Sequence, residues 1–164
     1  VSDGLFLREV RKVAKDYPDV ELDEKIVDAM AALLVRNPTQ FDCIVTTNMF
    51  GDILSDEASE ISGSLGLAAS TMAGDDACCA QAQHGAAPYI AGHDKANPTS
   101  LLLSAGMLLD WLGDRHKDTK FNDAAGLLEK TVDAALQKPE TRTPDIGGVL
   151  GTQAFAKHIA EALK

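Results

Sequence analysis

Apolar residues recur at helical intervals from the first turn of the chain. Leu5, Phe6, Val10, Val13 and Ala14 share one face, which predicts an amphipathic helix over about Asp3 to Asp16. Ser2 is placed to cap it, and Tyr17-Pro18 ends it. Because that element starts almost at Val1, which is not an initiator Met, the expectation is that an amino-terminal portion is missing. Val20, Leu22 and Ile26 then sit at strand-like spacing in a short polar stretch. A second helix is expected over Val27 to Arg36, stopping at Asn37-Pro38. The compact run Phe41-Asp42-Cys43-Ile44-Val45-Thr46-Thr47 predicts a buried strand, and a third helix should start near Met49 and end before Gly63. Helix, strand, helix, strand, helix is the alternation of an α/β architecture with a parallel component.

Gly63-Ser64-Leu65-Gly66 marks a change of character, and divides the chain into segments 1–63 and 64–164. From Ala68 to Asn97 small residues dominate, and only short strands are expected. Asn97-Pro98 opens an apolar helix through about Leu112; a second, amphipathic one covers about Asn122 to Gln137. Lys138 to Gly151 reads as a Pro/Gly loop, and a last helix closes the chain near Lys164.

Composition narrows the class of function. With 45% hydrophobic and 24% charged residues, the chain has the make-up of a globular protein, and no apolar run approaches the roughly 20 residues of a membrane span. The formal net charge of −10 repels phosphate backbones, which argues against nucleic acid as a partner. The arginines, Arg8, Arg11, Arg36, Arg115 and Arg142, are dispersed, so no clamp for a polycarboxylate is visible. Cys43, Cys78 and Cys79 lack C-x-x-C spacing and fit free thiols in a reducing compartment, the cytoplasm or a mitochondrial matrix.

Asp52 and Asp56 lie four residues apart, which on a helix stacks both carboxylates on one face. Like charges so placed repel, and a bound hard cation such as Mg²⁺ or Mn²⁺ relieves that repulsion. A solvated acidic turn is the commoner reading of such a pair taken alone.

The surrounding strings decide between these. Asn48-Met49-Phe50-Gly51-Asp52-Ile53-Leu54-Ser55-Asp56-Glu57-Ala58, together with Phe41 to Thr47 before it, resembles the signature of the β-decarboxylating dehydrogenases, the isocitrate and 3-isopropylmalate dehydrogenases among them. Ile26-Val27-Asp28-Ala29-Met30, Leu34-Val35-Arg36-Asn37-Pro38, Gly63-Ser64-Leu65-Gly66-Leu67, His84-Gly85-Ala86-Ala87-Pro88-Tyr89-Ile90-Ala91-Gly92, Asn97-Pro98-Thr99 and Thr143-Pro144-Asp145-Ile146-Gly147-Gly148 match in the same order. The resemblance implies the carboxyl-terminal portion of a two-lobed fold, helices flanking a partly parallel sheet, with 1–63 in a metal-binding, dimer-side lobe and 64–164 in a cofactor-binding lobe. It implies Mg²⁺ or Mn²⁺ held by Asp52 and Asp56, with Asp28 contributed by the neighbouring subunit of a homodimer. His84, Gly85, Ala86, Ala87, Pro88, Tyr89, Ile90 and Asn97 would then border the adenosine end of a nicotinamide cofactor.

Ile90 favours NAD, as do Pro144 and Gly148 where NADP-linked members carry ligands for the 2′-phosphate; Tyr89 and Ala86 depart from the family pattern. The family's general-acid lysine and tyrosine, and its substrate-gripping arginines, correspond to positions before Val1. The expected reaction is therefore the metal-assisted oxidative decarboxylation of a 2-hydroxy di- or tricarboxylate by NAD, with this chain inactive alone. A non-catalytic subunit or remnant, kept for assembly or regulation, is the alternative.

Overall fold

The computed structural model describes residues 2–164, Ser2 by its backbone alone, so the cap expected from Ser2 lies outside the described residues. The chain divides into two compact units, Val1–Ile61 and Ser62–Lys164.

The first unit holds three helices, α1 (Ser2–Ala14), α2 (Val27–Arg36) and α3 (Asn48–Ile61). Asp3 in the first turn of α1 and Arg11 and Lys12 in its last complement the helix dipole. The helix stops two residues before the expected Asp16, in hydrogen-bonded turns that run to Tyr17. Arg11 forms a two-pronged ion pair with Glu24 at 2.5 Å. Those hydrogen bonds raise the arginine's pKa and lower the carboxylate's, but both side chains are open to water and the pair adds little stability. Met30 and Leu34, one turn apart on α2, pack on Leu54 of α3 with Ala31 and Phe41 at the edge.

Two strand expectations fail in this unit. Val20, Leu22 and Ile26 are exposed residues outside any strand. The Phe41–Thr47 run belongs to no ladder among the described residues, and Val45 is 66% exposed. β-branched composition favours extended backbone, but a strand also needs a neighbour to receive its hydrogen bonds, and none lies alongside among the described residues.

The second unit begins with a hairpin, β1 (Ala69–Ala73) and β2 (Cys78–Ala82), paired antiparallel from Ala69↔Ala82 to Ala73↔Cys78. This pair is the whole sheet content of the described residues, so the expected parallel component does not form here. Against it lies α4 (Thr99–His116), followed by α5 (Thr119–Leu136) and α6 (Thr152–Ala162). Two buried serines one turn apart on α4 knit helix to hairpin. The Ser100 hydroxyl donates to the Ala68 carbonyl and accepts from Gln83 N–H; that of Ser104 donates to Gln81 O at 2.7 Å and accepts from Ser70 N–H at 3.1 Å.

α4 continues four residues beyond the expected Leu112 because Gly113 is buried against α5, where the Asn122 amide fills the space a Cβ would need. α5 starts earlier than expected because Asp118 caps it, accepting from Lys120 N–H at 3.1 Å. Val132 and Ala135 of α5 meet Phe155 and Ile159 of α6 in the core, lined by Leu102, Leu103, Leu128, Leu136 and Leu150. Between α5 and α6 the Pro/Gly loop makes two short 3₁₀ turns, at Pro139–Thr141 and Pro144–Ile146. Among the described residues, no helix is long and apolar enough to cross a membrane.

Candidate functional site

Asp52 and Asp56 stand one helical turn apart on α3, both exposed, with Leu54 turned into the core between them. Asn48 Nδ2 donates to Asp52 Oδ2 at 3.3 Å, the long end of hydrogen bonding. Asp28 lies in the first turn of α2, exposed, its Oδ1 accepting from Ala29 N–H at 2.7 Å. The chain does not gather the three: no cluster of three or more metal-ligating side chains exists among the described residues. Two open carboxylates on one face suit a hard cation that fills its remaining positions with other oxygens. The donor set therefore fits such an ion in part, as two ligands needing at least one more from elsewhere.

The candidate cofactor residues follow β2. His84 Nδ1 lies 2.9 Å from the Gly85 carbonyl; a carbonyl only accepts, so Nδ1 carries the proton and, in the neutral ring, Nε2 is left as an acceptor. Gly85 and Ala86 are exposed. Ala87 is held in the left-handed region at φ 41°, ψ 57°, a costly conformation for a residue with a Cβ and one that concentrates where ligands are clamped. It feeds Pro88–Ile90, a single 3₁₀ turn that carries Tyr89 outward, 81% exposed.

Asn97 stands apart from this open stretch. It is 7% exposed, and both ends of its amide are engaged: Oδ1 accepts from Thr99 N–H at 3.0 Å, and Nδ2 donates to Asp145 Oδ2 at 3.0 Å. The same Asp145 oxygen accepts from the Ser64 hydroxyl at 2.6 Å. Partial burial opposes ionisation of Asp145, but hydrogen bonds from Ser64 and Asn97, its own backbone, and the approach of the buried Thr143 hydroxyl outweigh it and hold its pKa below the usual carboxylate value. The Thr143 oxygen closes no well-aligned bond of its own. Gly66 completes the cluster, for a Cβ there would meet Asn97 Cβ at 2.9 Å. Asp145 thus ties together Ser64, Asn97 two residues ahead of α4, and the 3₁₀ turn before α6.

The sequence offers candidate metal and loop residues but does not mark Asp145 and Ser64 as structural partners of the loop. Asp145 lies in the Thr143-to-Gly148 string, but its value as an anionic acceptor depends on contacts 48 and 81 positions away. Two surface depressions of about 390 and 400 Å³ lie elsewhere in the second unit, one lined by Lys130, Lys138 and His158, the other by Gly63 and Arg142. Neither is lined by a candidate residue.

Comparison with known proteins adds an independent line. The family profile described as isocitrate/isopropylmalate dehydrogenase matches residues 1–163. An isocitrate/homoisocitrate dehydrogenase of Thermus thermophilus is 48% identical over 164 residues, all of this chain and 47% of that protein. A 3-isopropylmalate dehydrogenase of Methanothermobacter thermautotrophicus is 43% identical over 163 residues, 99% of this chain and 47% of that one. The crystal structure of isocitrate dehydrogenase from Methylococcus capsulatus superposes with a TM-score of 0.90 at 41% identity, over 98% of this chain and 46% of that one. The chain thus spans about half the length of the relatives it matches. Family profile, relatives and fold agree: the chain belongs to the isocitrate/isopropylmalate dehydrogenase family, whose members are decarboxylating dehydrogenases.

Proposed function

We propose that this chain supplies the cation ligands and part of the cofactor cradle of an NAD-linked, Mg²⁺- or Mn²⁺-dependent dehydrogenase, which oxidises and decarboxylates a 2-hydroxy acid such as isocitrate or 3-isopropylmalate. The observation that carries the reading is the Asp52–Asp56 pair, two exposed carboxylates one turn apart on α3 with Leu54 anchored beneath them. Like charges so placed repel, and a shared cation accounts for the pair. Asp52 and Asp56 would hold a cation that would supply polarisation of the substrate's hydroxyl and α-carboxylate, and the 84–97 segment would hold the NAD that takes up the hydride. Asp52 and Asp56 orient the ion, and Leu54 fixes the helix face that presents them. His84 offers Nε2 as an acceptor, Gly85 and Ala86 let the backbone approach the ligand closely, and Asn97 fixes the end of the segment rather than offering a free amide. Asp28 would complete the ion's ligands from the second subunit of a homodimer.

Equilibrium binding of Mn²⁺ to the full-length protein tests the reading. Asp52→Asn and Asp56→Asn should each weaken binding and abolish metal-dependent turnover; undiminished Mn²⁺ affinity in both would refute the assignment. A second reading, a non-catalytic subunit, is favoured by Tyr89 and Ala86. Its signature would be a full-length protein that assembles but binds neither Mn²⁺ nor NADH.

A further inference from the structure

From Gly85 to His93 the segment after β2 makes only near-neighbour backbone bonds among the described residues: Ile90 N–H to Ala87 O, Ala91 N–H to Pro88 O and His93 N–H to Ile90 O. At Asp94 this changes. Asp94 Oδ1 accepts from Gln153 N–H at 2.9 Å, its carbonyl accepts from Thr152 N–H at 3.2 Å, and the Thr152 hydroxyl donates back to Ala96 O at 2.5 Å. Thr152 and Gln153 are the first two residues of α6, whose own N-cap, Gly151, has no side chain to cap with. The missing cap is supplied by Asp94, remote in sequence. Gly151 is what permits it, since a Cβ there would lie 2.3 Å from Asp94 Oδ2. An aspartate is suited to the place twice over: its charge favours a helix N-terminus, and it tolerates the left-handed backbone, φ 54°, that Asp94 adopts.

We propose that Asp94 is the positioning residue of the cofactor segment: by capping α6 across the chain it fixes the base of the loop that carries His84 to Ile90, and so sets cofactor affinity without touching the ligand. The proposal rests on the reading of 84–97 as cofactor-binding. Its logic is preorganisation, for a loop already anchored at its base loses less conformational freedom when a ligand orders the rest. Asn97, held by Asp145, is the second anchor three residues on.

The test uses full-length Asp94→Ala, Asp94→Asn, Asp94→Gly and Gly151→Ala proteins, with titration by NADH and by Mn²⁺ and amide hydrogen exchange measured without ligand. Asp94→Ala should raise the Kd for NADH about fivefold, the loss of one good cap. It should leave Mn²⁺ affinity unchanged and speed exchange both at Thr152 and Gln153 and across 84–97. Asp94→Asn, which keeps a capping oxygen and tolerates the backbone, should restore both measurements; Asp94→Gly, which keeps only the backbone tolerance, should not. Gly151→Ala should mimic Asp94→Ala and add little to it in the double variant. A wild-type Kd in Asp94→Ala, faster exchange confined to α6, or an Asp94→Asn protein as weak as the alanine variant would each overturn the proposal. If the wild type binds no nicotinamide cofactor, the cofactor reading fails. Exchange in Asp94→Ala then decides the clamp alone: faster over 84–97 upholds it, unchanged removes it.

Discussion

Asp145 shows how much one carboxylate can organise. Its Oδ2 receives Ser64 and Asn97 together, and because its pKa is held below the ordinary 3.8 it stays an acceptor throughout the neutral range. A depressed folded-state pKa stabilises the fold above the unfolded value, and that contribution is lost as pH falls through the folded value. Wild type should therefore melt above Asp145→Asn at pH 7, the gap narrowing below about pH 4, as thermal melts across that range would show. Tyr89 is the opposite case, a side chain that stands out in solvent. If NAD is the cofactor, Tyr89→Asp should tighten NADH binding about tenfold or more, the worth of hydrogen bonds to a charged acceptor. Fluorescence titration of the full-length protein would measure it.

Among the elements, those whose signal is local were legible in the sequence. α2 has the expected bounds because its apolar spacing and the Asn37-Pro38 stop both act within one turn. α4 and α5 departed from expectation at their facing ends, where Gly113 and Asp118 act through packing and capping that periodicity does not encode. The Phe41–Thr47 strand was misjudged because pairing is a property of two segments and only one was visible. At the site, the helical face shared by Asp52 and Asp56 could be foreseen, while the tether from Asp94 to α6 could not, since its partners lie far apart in the chain. The α5–α6 contact is the element interface with most to lose. Phe155 is fully buried beside Val132 and Ile159, so Phe155→Ala should destabilise the second unit by about 3–5 kcal/mol, measurable by urea unfolding. Phe155→Leu, which conserves more volume, should cost far less.

For the molecule as a whole, the two units carry cores of different quality: Met30, Leu34 and Leu54 in one, and Val132, Ala135, Phe155 and Ile159 with five flanking leucines in the other. The single tryptophan, Trp111, lies in the second, beneath the Arg115 guanidinium at 5.6 Å. Unfolding followed by its fluorescence should thus have a higher urea midpoint than unfolding followed by far-UV circular dichroism, which weighs the helices of both units; coincident curves would mean the units melt as one. The unpaired run from Phe41 to Thr47 carries a further consequence, one of self-association rather than of catalysis. Without a ladder partner among the described residues, and with Ile44 and Val45 open to water, it is a short, weakly charged, β-branched template on which identical chains can stack. A 164-residue chain handled by itself therefore presents that surface to its own copies, and self-association through it should grow with concentration.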